Sequence, residues 1–165
     1  MLLKNRSYSE KSNWAVLLTT LGVLFYYLNR VPHLGAYFES NPNEIGYLLL
    51  KTIIVTIVLT IIYHSFIFGI SGQDNALEQD ERDILIRQKA INWAYWVMNA
   101  GLIYLFVQLF INTWIRTQAV SFDLNAGLFI AYPPIDFMIH GIVILGFVCE
   151  ITQNLGEIFL QRRGV

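Results

Sequence analysis

Apolar residues in this chain do not alternate, and they do not form a single amphipathic stripe. They gather into four long blocks separated by polar punctuation, the pattern of helices surrounded by apolar material. The blocks predict spans over about 14–29, 45–70, 91–115 and 135–159. The first is the shortest and needs residues on either side to reach the ~20 that cross a bilayer. The fourth follows Pro133-Pro134, a pair that breaks any helix running in from Leu124, and Pro134 suits the first turn of the span. Trp14 opens an aromatic-rich first block with no small-residue cleavage pattern before Asn29-Arg30, so it is read as a retained span. The expectation is an all-α polytopic membrane protein: one domain, a four-transmembrane-helix bundle.

The connections differ in character. Residues 30–44 carry prolines, a glycine and asparagines and suit a compact link. Residues 122–132 are apolar enough either to lie along the interface or to re-enter it. Between spans two and three, Ser71 and Gly72 can end one helix and Asp74 can cap the next. Glu78, Asp80, Glu81 and Asp83 then precede Arg87 and Lys89, an order that suits the helix dipole, and Glu78–Arg82 and Asp83–Arg87 are i,i+4 pairs. The spacing predicts a helix over about 74–90, continuous with span three. Leu77, Ile84 and Ile91 mark one face for a neighbouring helix, a second subunit or the membrane surface. A plain solvated extension of the span satisfies the same pattern.

The run Asp80-Glu81-Arg82-Asp83, followed by Ile86 and by Lys89-Ala90 at the start of a span, resembles a family of small prokaryotic multipass membrane proteins of no established function. The likeness covers 78–100 and implies a membrane protein of bacterial or archaeal type, with no chemistry attached.

Composition sharpens the class. Of 165 residues 55% are hydrophobic and only 14% charged, against roughly 25% charged in soluble domains. The net charge of -1 offers no field for nucleic acid. Cys149 is the single cysteine, which excludes an internal disulfide. Lys4, Arg6, Lys11, Arg82, Arg87, Lys89, Arg162 and Arg163 fall on one side, and Arg30, Lys51 and Arg116 on the other. By the positive-inside rule both termini are then cytoplasmic, in the inner (plasma) membrane.

Polar residues inside the spans are the candidates for function. Thr52, Thr56, Thr60 and His64 form a stripe on span two, which either packs against other helices or lines a polar track. His64, Asn99 and Glu150 sit at comparable depth and can form an intramembrane cluster. Asp136 and His140, one turn apart, can gather Lys51 into an outer cluster, although Lys51 can equally snorkel. Glu157 is expected in solvent beside Arg162 and Arg163. Gly141 and Gly146 are five apart, so they make no small-xxx-small motif. No glycine-rich phosphate loop, HExxH run or serine elbow is present, so no catalytic residue, metal or cofactor is expected.

The functional expectation is a small membrane subunit that forms an oligomer or holds a membrane or cytoplasmic protein partner. Its contacts would be lipid and the face carrying Glu78, Asp80, Glu81, Arg82, Asp83, Arg87 and Lys89. The alternatives are a small transporter or channel using Thr52, Thr56, Thr60, His64 and Glu150, and a lipid-active enzyme at Asp136 and His140.

Overall fold

A backbone surrounded by apolar side chains must satisfy its own N–H and C=O groups, and long runs of Leu, Ile, Val and Phe do so as helix. In the computed structural model, which describes residues 8–34, 43–71, 81–117 and 134–163, every described residue is helical. The elements are α1 (Tyr8–Leu34), α2 (Asn43–Ser71), α3 (Glu81–Thr117) and α4 (Pro134–Arg163). Glu10, Glu44, Glu81 and Asp83 lie in first turns and Arg162 and Arg163 in a last turn, each complementing the helix dipole. All four helices are long and apolar enough to cross a membrane. The loop over 122–132 and the segment 72–80, with Glu78 and Asp80, lie outside the described residues.

Helix α3 has 37 residues, about 55 Å at a rise of about 1.5 Å per residue. That exceeds the ~30 Å of a hydrocarbon core, so its charged first turns extend past any span they lead into. The charged run from Glu81 onward and the apolar block are therefore one continuous helix.

The helices pack in the order α2–α1–α4–α3. This is an open row, with α2 and α3 at its edges and no extended packing between them. It differs from a closed four-cornered bundle because α1 and α4 carry the faces that others can approach. Helix α1 buries Ala15, Leu17, Thr19, Thr20, Val23 and Tyr27, while Ile45, Leu48 and Thr52 are buried among the described side chains of α2. In the most apolar window of α3 only 6% is buried, against 33% for α1.

Helix α3 meets α4 through small residues. A Cβ on Gly101 would lie 2.2 Å from Leu145 Cδ1, and one on Gly141 would lie 2.4 Å from Leu105 Cδ2. Each leucine fills the notch left by a glycine across the seam. Towards the chain termini, a Cβ on Gly156 would meet Trp93 at 3.0 Å and the Ala90 methyl at 3.3 Å. These pairs step up α3 as they step down α4, so the helices are antiparallel and hold one register throughout. Ala94, Leu105, Leu145 and Cys149 form the buried centre, flanked by Val97, Met98, Leu102 and Met138. The pairing uses the Ile86–Ala90–Ala94 face of α3, while Ile84 and Ile91 remain 45% and 44% exposed. Ala90 and Ala94 admit the partner helix closely, and the heptad face expected from Ile84 and Ile91 is left outside. Close backbone approach is also the means by which helices associate where lipid removes the hydrophobic drive.

Gly156→Leu is expected to wedge this seam open and to destabilise the protein by about 1–3 kcal/mol, the usual cost of overpacking. Gly22→Leu, where a side chain meets open space, is expected to change little. Thermal unfolding in one mild detergent compares the two.

Candidate functional site

The polar side chains that the fold brings together lie between α1 and α4, in two groups separated along the helices. Near the chain termini, Asn13 Nδ2 donates to Glu157 Oε2 at 2.8 Å and Gln153 Nε2 donates to Glu157 Oε1 at 3.2 Å. Glu157 is only 7% exposed, so two amides replace the water its carboxylate has lost. One turn further, Gln161 Nε2 donates to Ser9 Oγ at 2.9 Å. Arg162 reaches Glu10 at 3.5 Å and lies over the Trp14 ring at 5.7 Å. At the other end of α1, Tyr27 is fully buried and its hydroxyl shares a 2.5 Å hydrogen bond with His140 Nδ1. Phe147 packs beside Tyr27, with ring centroids 6.2 Å apart.

This geometry corrects the expectation that Glu157 stands in solvent beside two arginines. Arg162 turns to Glu10 and Trp14, and Arg163 lies over the Phe159 ring at 4.4 Å. The carboxylate points instead across the α1–α4 contact, where Asn13 stands ready. The signal is in the sequence: Ser9 and Asn13 are four apart, and Gln153, Glu157 and Gln161 repeat the same step on α4. Each set puts polar atoms on one helical face.

The groups expected from the sequence fall elsewhere. Among the described residues no hydrogen bond or ion pair links His64, Asn99 and Glu150. His64 and Asn99 are half-buried and Glu150 is exposed, on three helices of which only α3 and α4 pack together. The stripe on α2 satisfies itself. Thr52 Oγ1 donates to Leu48 O, Thr56 Oγ1 donates to Thr52 O, and His64 Nδ1 bonds Thr60 O, all within 2.9 Å. Thr52 is buried while Thr60 is exposed.

Of the expected outer cluster, His140 is buried against Tyr27, and Lys51 is exposed with its ammonium 4.3 Å from the Tyr47 ring centre. The side chain of Asp136 lies outside the described residues. On α3, Glu81, Arg82, Arg87 and Lys89 are exposed and Asp83 is half-buried. Glu150 is the anomaly: it faces outward at the middle of the Met138–Arg163 stretch. Asn154 Nδ2 donates to its backbone carbonyl at 2.7 Å, and the carboxylate itself has no bond among the described residues.

Among the described residues no three metal-ligating side chains converge. What the α1–α4 groups can do is bind helix to helix and fix their register. No family model, curated protein or solved structure matches the chain.

Asn13→Ala and Glu157→Ala are expected to be energetically coupled by about 1 kcal/mol or more, as for a buried bond to a charged acceptor. A double-mutant cycle on unfolding in detergent measures the coupling. Thr56→Val, whose hydroxyl serves only its own helix, is expected to fall within about 0.5 kcal/mol of the parent.

Proposed function

We propose that this chain is a small integral subunit of a prokaryotic inner membrane, with both termini cytoplasmic, and that it builds a larger assembly. The observation that carries this reading is the outward-facing carboxylate of Glu150 among exposed positions of α4 that are otherwise apolar from Ile142 to Phe159. Lipid solvates exposed Phe106 and Phe110 without penalty, so apolar exposure says little. It does not solvate a carboxylate, and a protein surface that covers Glu150 removes that cost.

The orientation rests on the Lys and Arg bias between the two sides. It puts the exposed charges of Glu81, Arg82, Arg87 and Lys89, with Asp83, in the cytoplasm as a contact face for a protein partner. The resemblance over 78–100 fits a membrane protein of this type. A transporter built on the α2 stripe has less support, since those hydroxyls are spent on their own helix and α1 stands between α2 and α4. A lipid-active enzyme has less still, since His140 Nδ1 is already engaged by Tyr27.

Extraction with native lipid, followed by mass determination of the intact particle, tests the reading. The expected particle holds more than one polypeptide. A clean monomer overturns the proposal.

A further inference from the structure

We propose that the Glu150 face is covered by a second copy of this chain, whose Lys51 supplies the opposite charge. This deepens the assembly reading and rests on it.

The face is shaped for close approach. Ile142, Gly146 and Glu150 follow one another at four-residue steps along α4, and all three are exposed. A Cβ on Gly146 would meet nothing within 4 Å, so the track is shallow and open beside the α3–α4 seam. A helix laid on it can come near enough for a side chain to reach the carboxylate.

The chain carries a suitable cation on its far edge. Lys51 is exposed on α2, with Leu48 to Leu50 before it and Ile53 and Ile54 after it. Its ammonium rests on Tyr47, itself 60% exposed, and has no carboxylate partner among the described residues. Within one copy the two charges are kept apart, because α2 packs on α1 and α1 stands between α2 and α4. They meet only between copies.

Depth permits the meeting. Residues 35–42, eight in number, can reach at most about 28 Å. That is less than the length of α1, so α2 runs back along it. Helix α4 is also antiparallel to α1, since Tyr27 meets His140 and Asn13 meets Glu157. Helices α2 and α4 therefore start at the same end. Counted from the first residues of the two helices, Lys51 lies about 12 Å past Asn43 and Glu150 about 24 Å past Pro134, at about 1.5 Å per residue. The long lysine side chain and the glutamate, extended towards each other, cover the difference of about 12 Å. A rotation axis along the membrane normal keeps each residue at its own depth, so Lys51 of each copy meets Glu150 of a neighbour. Pairing in a low dielectric offsets the desolvation of both charges, where either alone would be costly.

The test uses full-length chains in membranes, with Cys149→Ala in the background so that the native thiol does not compete. Two differently tagged chains, one with Lys51→Cys and one with Glu150→Cys, are co-expressed and treated with a thiol-reactive cross-linker of about 12 Å span, long enough for Cα atoms too far apart for a direct disulfide. The expected result is a cross-link between the two tags at least tenfold above that of an Ile61→Cys and Leu155→Cys pair, and a yield equal to that pair overturns the proposal. In parallel, Lys51→Glu and Glu150→Lys alone are expected to reduce the native particle to monomer, and together to restore its mass. A double variant as dissociated as either single one also overturns it. A multimeric wild type without the cross-link removes the Lys51–Glu150 contact and leaves the assembly reading standing. A monomeric wild type removes both.

Discussion

Glu157 is an acidic side chain taken out of water with two amides for company, and the position of α1 depends on it. The bond from Asn13 joins residues 144 apart in sequence and sets the first helix against the last. Everything else in α1 follows from that placement. Tyr27 arrives opposite His140, Ser9 opposite Gln161, and the opposite side of α1 is presented to α2. An amide-bound carboxylate also specifies its partner more sharply than an apolar contact does, because a slip of one residue would strand it without donors.

Helix α4 serves two neighbours by two different chemistries. Towards α3 it offers Gly141, Leu145, Cys149 and Gly156, a surface of notches and knobs read by shape. Towards α1 it offers His140, Gln153, Glu157 and Gln161, a surface read by hydrogen bonds. The two faces cannot be exchanged, so the row has only one order. Shape alone leaves helix pairs in a bilayer with many near-equal registers, and the polar contacts select among them.

Helix class and placement were legible from the sequence because block length and apolarity are properties of a segment by itself. The expected spans 14–29, 45–70, 91–115 and 135–159 lie within α1 to α4, each helix being longer at both ends. Those extra turns carry Ser9, Asn13 and Gln161, polar residues that a search for apolar blocks discards. Helix rotation was not legible. His64, Asn99 and Glu150 carry no bond to one another among the described residues, whereas Asn13 and Glu157 meet across α1 and α4, and only a repeated spacing of four betrays it. The small-residue seam escaped for a related reason. Gly141 pairs in sequence with Gly146, but in space Gly141 answers Leu105 and Gly156 answers Ala90.

The contact between the first and last helices also has a bearing on time. Helices α1 and α2 leave the ribosome as one hairpin and α3 and α4 as another, each closed by neighbours in sequence. The polar seam can form only when the final residues of α4 have been made, so it is the contact of highest separation in the chain. Until then Asn13 waits on a finished hairpin with no acceptor, and Tyr27 waits with no ring nitrogen to bond. The nascent protein thus carries a visible mark of incompleteness, erased at the moment the two hairpins dock.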